Sequence, residues 1–386
     1  MNLHRMNDIF RPFLMNLKNI IGWKTNRKIV VLAFDDYGNV RVDSKRAREL
    51  MDKEGLKKYA RFDLFDSLEN REDLEMMYEA LSSAKDLNGS SAKLTAFSVP
   101  CNIDFEKVAE NGFDQYYYEF LPVTFEKMAI RYPGAYAGSW SLWKEGMSRG
   151  LISPQFHGRE HLNLRVFEEK LRIRDKEIMS LLQNRSYTGI SDTGYSTIAW
   201  PAAFDFWDFE ENLQFRSVIQ DGIAAFEKVF GTRPVNFNAP GSYEHHVIHE
   251  YLYECGIRYI DTSIIKKEHQ GEGKYKNRLY YTGQRNHLGM IYNVRNVVFE
   301  PTEKRGLDWV NFALNQIESA FRWRRPAVIS SHRVNFCGHI DENNRRTGIG
   351  ELKKLLGEMI RRWPDIEFMS SSELMDIVAS QNKTVI

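Results

Sequence analysis

The chain has 386 residues, 42% hydrophobic and 27% charged, a composition that supports a sizeable buried core. Its net charge of +1 gives no electrostatic basis for capturing nucleic acid or an anionic membrane through the molecule as a whole. No apolar run is long enough to span a bilayer, and Cys101, Cys255 and Cys337 lie far apart outside any CxxC pattern; they read as free thiols, with a cytoplasmic location expected.

Residues 1–27 carry Ile9, Phe10, Phe13, Leu14, Leu17, Ile20 and Ile21 at helical spacing, interrupted by Arg11, Pro12 and Lys18. The segment lacks the unbroken apolar stretch and small-residue cleavage site of a signal peptide. It predicts a helix packed on the domain, with a peripheral membrane contact through that helix as the alternative. Residues 28–39, KIVVLAFDDYGN, are the stretch from which the rest is read. The β-branched and apolar run predicts a strand buried on both faces, as in a parallel sheet. It ends in adjacent carboxylates, Asp35 and Asp36, then an aromatic and a glycine. Like charges side by side repel, and a strand that only had to stop would use Asn, Ser or Gly. The pair calls for an electropositive partner, most simply a divalent cation; an acidic turn is the plain alternative.

Helices are expected at 44–57 and 70–85, followed by a strand at 93–100. Residues 102–150 are aromatic-rich and weakly periodic, which suggests a lid or binding loop. A strand at 151–156 runs into HGREH at 157–161, and a helix at 165–183 precedes a second aromatic insertion at 193–211. Next come a helix at 215–230 ended by Gly231, a strand at 234–239 closed by Pro240 and Gly241, and a helix to Cys255 and Gly256. Strands at 257–261 and 290–299 flank a Gly- and Lys-rich loop; a helix at 308–323 leads to a strand at 326–331 that meets His332. A helix at 348–363, a strand at 366–370 and a short helix capped by Ser371 and Ser372 end the chain. Strand and helix alternate throughout, without repeats or a domain linker. The predicted fold is α/β: a distorted (β/α) barrel of about seven parallel strands with aromatic-rich insertions near 102–150 and 193–211. One domain is expected over 28–386, behind the helical segment 1–27.

Barrels of this kind carry their reactive side chains just beyond the C-terminal ends of the strands. Asp35, Asp36, His157, His161, His332 and the Asn238 to Gly241 stretch all fall there. The HxxxH spacing places two imidazoles one helical turn apart, which suits a shared metal with a carboxylate as third ligand. A second HxxxH, His245 to His249 beside His246, lies inside a predicted helix and reads as surface or packing histidines.

FDD at 34–36 with Gly38, HGREH at 157–161, APG at 239–241 and the apolar strand into His332 resemble the polysaccharide deacetylase family, carbohydrate esterase family four, including its chitooligosaccharide deacetylase-like members. FGTRPVNFNAPGSY, ECGIRYI and IEFMSSSEL agree, so the resemblance covers about residues 28–376 outside the two insertions. It implies a distorted (β/α) barrel and a metal-dependent hydrolase that removes acetyl groups from a sugar or polysaccharide precursor by attack of an activated water. Zinc is the implied metal, with cobalt and nickel as alternatives. On this resemblance Asp36, His157 and His161 would hold the metal, Asp35 would be the general base and His332 the general acid. The amide of Gly241 is a candidate oxyanion donor, and the side chains of Asn238 and Arg295 are candidates to contact the oxyanion or the substrate. The family carries an Arg two residues before the Pro, where this chain has Asn238; Arg295 or Arg333 is expected to supply the missing cation, and Asp261 or Glu300 the partner of His332. Trp140, Trp143, Trp200 and Trp207 are candidates to stack on sugar rings. The rival readings are a catalytically silent carbohydrate-binding protein on the same fold, favoured by Asn238, and a glycoside hydrolase using Asp35 and Glu300.

Overall fold

The computed structural model describes residues 10–56 and 60–381. Ile9 and Lys57, at the ends of two expected helices, lie outside the described residues, as do the side chains of Phe10 and Phe13. Nine strands form one sheet: β1 (Lys28–Tyr37), β2 (Leu94–Ser98), β3 (Ile152–Phe156), β4 (Asn236–Phe237), β5 (Tyr259–Thr262), β6 (Ile291–Val294), β7 (Val297–Val298), β8 (Ala327–His332) and β9 (Ile366–Met369). Every pairing in it is parallel, in the order β6-β5-β4-β3-β2-β1-β8-β7. β9 pairs with the first half of β1, at Lys28 to Val31, and β2 with the second, from Leu32 on.

The two edges, β6 and β7, are separated in the chain only by Arg295 and Asn296, so the sheet curls until its ends meet there. The amide of Arg295 donates to Thr262 on β5 at 3.0 Å. Asn296 takes the other side: its Oδ1 accepts from Val328 at 2.9 Å and its Nδ2 donates to Pro326 at 2.9 Å. The strand expected at 290–299 is therefore one segment that changes partners half-way, which gives seven staves around an α/β barrel, with β9 beside β1 off that circuit.

Alternation along β1 sorts its side chains. Ile29, Val31 and Ala33 point into the barrel with Phe97, Tyr259, Ile291 and Val328, where Leu374, Met375 and Val378 of the last helix pack on them. Val30, Leu32 and Phe34 face the outer helices. Beneath the rim lies a polar layer: Asp261 accepts from Asn236 at 2.9 Å and Asn293 at 2.8 Å. Burial pushes the Asp261 carboxyl up to about 6, against the pull of Arg295 and the two amides.

Several elements depart from the expected ones. Residues 102–150 are not a loop; after a short hairpin (Cys101–Ile103 with Tyr118–Phe120) they form helices Leu121–Arg131, Pro133–Tyr136 and Ser139–Ser148. The helix at 165–183 breaks into Leu164–Arg172 and Lys176–Gln183, with Arg174 between them at φ +51°. The Gly- and Lys-rich loop holds a hairpin, Ile265–His269 with Tyr275–Leu279, and the helix expected at 348 starts at Glu342. Cys101 and Cys337 are buried free thiols, and Cys255 is half-buried. No helix among the described residues is long and apolar enough to cross a membrane.

Candidate metal centre

The centre forms where β1 loses its regularity. The pairing of β1 with β2 shifts register between Phe34 and Tyr37, and Asp36 adopts φ +74°. That conformation is strained for a residue with a Cβ and costs roughly 1–3 kcal/mol. Simple alternation would send Asp36 to the helix side with Phe34. The bulge turns it to the rim, where its Oδ1 lies 2.9 Å from His161 Nε2 and 3.4 Å from His157 Nε2. Glycine follows for a steric reason: a Cβ on Gly38, at φ +77°, would meet the Val99 carbonyl at 2.8 Å.

His157 and His161 come from the loop after β3, not from one helix face as their spacing suggested. Gly158 at φ +92° makes the turn that brings their ring centroids to 5.1 Å. His157 Nδ1 donates to the Asn238 carbonyl at 2.8 Å. With that proton fixed on Nδ1, the Nε2 lone pair faces Asp36, the tautomer a metal ligand needs. Burial holds His161 below its ordinary range despite Asp36, which favours a neutral ring with a lone pair to offer. Burial would raise the Asp36 carboxyl, but His161 and His157 outweigh it and hold it well below the usual range. The three ligand atoms lie within 4.8 Å of one another, and all three residues are buried. Bare acceptors aimed at one point fit a divalent cation, which supplies Lewis acidity and lowers the pKa of a water it binds.

Asp35 keeps the inward phase of Ile29, Val31 and Ala33. Its Oδ2 receives Arg295 Nη1 at 2.6 Å, while its Oδ1 is buried without a hydrogen-bond partner. Arg295 lies over the Phe97 ring at 4.6 Å, with Nε 3.9 Å from Asp261. The cation beside Asp35 thus arrives from the seam between β6 and β7 rather than from position 238. Asn238 is a strut: its Nδ2 donates to the Asp261 carbonyl at 2.9 Å and its own carbonyl orients His157, so the expected substrate contact through its side chain is already taken. Arg333 is committed elsewhere, to Asp66 at 2.8 Å and Glu69 at 3.0 Å.

His332 stands opposite Asp35 in the register of β1 and β8, with Nε2 3.9 Å from Asp35 Oδ2. Its Nδ1 meets Glu300 Oε1 at 2.6 Å, which settles the partner as Glu300 and not Asp261. Glu300 is itself held by Asn335 at 2.7 Å and by Arg61. Burial alone would depress His332; Glu300, then Asp36 and Asp35, push it up to about 9. The short helix Arg61–Phe65 roofs this side: Phe62 sets its ring edge-on to His332 at 5.2 Å, between the guanidinium groups of Arg41 and Arg61. Nothing in the sequence marked Arg61 or Phe62; Asn335, three residues past His332, was the nearest legible signal.

Gly241 is the exposed residue of the turn Pro240–Ser242 beyond Asn238, at φ +75°, and a Cβ there would meet Ala202 at 2.8 Å. Of the four tryptophans, Trp143 and Trp200 are buried and Trp140 and Trp207 are half-buried. Trp200 is buried, stacks on Phe167 and donates to the Tyr187 carbonyl at 2.9 Å. Trp140 stacks on Phe125, fully buried Trp143 donates to Glu69 at 2.8 Å, and Trp207 lies against Tyr195. Trp200 and Trp143 have no free ring face for a sugar, so their substrate-stacking expectation is corrected.

The second HxxxH is not on one helix face either. His245 caps the turn His246–Ile248, and His249 opens the helix His249–Glu254. His245 and His249 are buried and His246 is half-exposed, in keeping with packing and surface histidines respectively. His245 and His246 close on the fully buried Glu268, at 3.8 and 2.9 Å.

No family model matches the sequence, and no curated protein does. Among solved structures, the chain is similar to a protein described as a polysaccharide deacetylase from Mycobacterium smegmatis, over 94% of each chain at 13% identity and TM-score 0.45. It is similar to Puue allantoinase over 94% of this chain and 93% of that one, at 11% identity and TM-score 0.46. A family 4 acetyl xylan esterase from Clostridium thermocellum, in complex with a cobalt ion, aligns over 91% of each chain at 11% identity and TM-score 0.34.

Proposed function

We propose that the chain is a metal-dependent hydrolase that removes acetyl groups from an acetylated sugar or polysaccharide precursor. The observation that carries this reading is the convergence of Asp36, His157 and His161, with the lone pair of His157 fixed toward the common point by Asn238. A divalent cation held there, zinc first and cobalt or nickel next, would supply Lewis acidity toward an acyl carbonyl and toward water. Asp35, held at Oδ2 by Arg295, takes the proton from the attacking water through its unpartnered Oδ1. His332, charged through Glu300, gives a proton to the departing amine or alcohol. The amide of Gly241 is the proposed oxyanion donor.

Base and acid therefore face each other across one rim with their supporting ions in place, which favours a working enzyme over a silent binding protein. Glu300 is taken up by His332, Arg61 and Asn335, which disfavours it as the free second carboxylate of a glycosidase. The test is acetate release from N-acetylated oligosaccharides by protein loaded with zinc, cobalt or nickel. Activity that disappears with chelator and returns with metal supports the reading; chelator-resistant cleavage of the glycosidic bond overturns it.

A further inference from the structure

Between the first helix (Phe10–Leu17) and β1, the chain carries apolar residues outward. Leu17, Ile20 and Ile21 are 50%, 43% and 57% exposed. Their display is enforced by Arg325, whose buried guanidinium donates to the Asn19 carbonyl at 2.9 Å, to that of Ile20 at 2.5 Å and to that of Gly22. No carboxylate pairs with Arg325 among the described residues, and burial lowers its pKa. A buried cation without a counter-ion is costly; here it serves to fix one turn. Asn19 anchors the same turn to Ser319 at 3.1 Å and Asn296 at 2.9 Å. The backbone is locked while the isoleucine side chains remain in solvent.

Amphipathic rings and cations surround this tip. Exposed Trp323 donates to Asn16 at 2.9 Å, and exposed Tyr281 lines the same cleft as Ile21. Lys24 and Arg324 are exposed and adjoin through the Thr25 to Arg324 backbone bond of 2.9 Å; neither makes an ion pair among the described residues. Residues 10–28 contain Arg11, Lys18, Lys24, Arg27 and Lys28 and no acidic residue, a local excess that the net charge of +1 conceals. Arg27 and Lys28 are matched by Glu367 and Asp365, and Lys18 donates to Gln316 at 2.7 Å; Lys24, with Arg324 beside it, has no acidic partner among the described residues.

We infer that this tip docks the protein on an anionic lipid surface. Leu17, Ile20 and Ile21 enter the acyl boundary, Trp323 and Tyr281 sit at headgroup level, and Lys24 and Arg324 meet lipid phosphates. The tip precedes the start of β1 and the metal-binding triad stands at its end, about 25 Å away along the strand. Docking leaves the catalytic rim free, and the inference does not depend on the chemistry proposed for that rim.

The experiment is co-sedimentation of the full chain with vesicles of phosphatidylcholine, with and without phosphatidylglycerol, at low and raised salt. The variants are the pairs Ile20→Asp with Ile21→Asp and Lys24→Glu with Arg324→Glu; circular dichroism and thermal unfolding like the parent's establish that they fold. Expected are binding to anionic vesicles that weakens with salt, and a loss of at least ~10-fold in each variant. Absence of parent binding, or binding unchanged in both variants, overturns the inference. So does lipid-free dimerisation that the isoleucine pair abolishes, since the tip would then be an interface between copies of the chain.

Discussion

The two HxxxH segments of this protein have the same spacing and opposite chemistry. Around His157 and His161 the second ring nitrogen of His157 meets a carbonyl, so the lone pair on Nε2 is free. At His245, Nδ1 accepts from the Val247 amide at 3.1 Å, so in the neutral ring the proton sits on Nε2 and faces Glu268. Glu268 is also engaged by Arg278 at 2.9 Å and Gln270 at 3.0 Å, whereas the close contacts of the Asp36 carboxylate among the described residues are to the imidazoles of His157 and His161. Each cluster gathers two histidines and a carboxylate close enough to hold a cation. The atom on the far side of the ring separates a metal ligand from a hydrogen-bonded latch. The second cluster clasps the hairpin Ile265–His269 with Tyr275–Leu279 to the turn after β4, a structural task.

The largest effect that would sharpen this contrast is at Asp36. Asp36→Ala should remove the metal and lower kcat/KM by at least ~10³-fold, while His245→Ala with His246→Ala keeps both within about twofold. Next, Asp35→Asn should cost about 10²–10⁴-fold in kcat with metal content unchanged, as expected for a base that does not touch the metal. Arg295→Met should follow it in direction with a smaller loss, read in the same assay.

Glu300→Gln probes pH. The raised pKa of His332 means its charged form is fully present below the ordinary 6.5 and lost as pH rises through about 9. The basic limb of kcat/KM should therefore lie near 9 and move toward 6.5 in the variant. A limb that does not move would remove His332 from the role of acid. The smallest effect belongs to the latch: Glu268→Gln should lower stability by about 1–2 kcal/mol, because its partners Arg278 and His246 are partly solvated, without changing metal content. Urea unfolding measures it.

The rim was legible because apolar runs announce strands, and unusual polar residues at their ends announce a site. The runs ending at Asp35, Phe156 and Ser331 located Asp36, His157, His161 and His332 without any knowledge of pairing. What stayed hidden depended on partners far along the chain. Arg295 and Arg333 were equal candidates for the cation beside Asp35 until the barrel seam delivered Arg295 there. Asp261 and Glu300 were equal as partners of His332, since which side of β8 each reaches is set by strand order. The positive φ of Asp36 has no sequence signature, and Arg61 and Phe62 sit in a charged stretch with nothing to distinguish them. Trp143 and Trp200 misled because the same large, planar side chain suits a core as well as a sugar face.

The most direct test is the metal content of purified parent, Asp36→Ala, and the His245→Ala with His246→Ala pair, measured by elemental analysis after zinc loading and removal of excess. The expected result is about one zinc per chain in the parent and the histidine pair, and none in Asp36→Ala. Zinc that persists in Asp36→Ala but is lost from the histidine pair would contradict the assignment and move the metal to the other cluster.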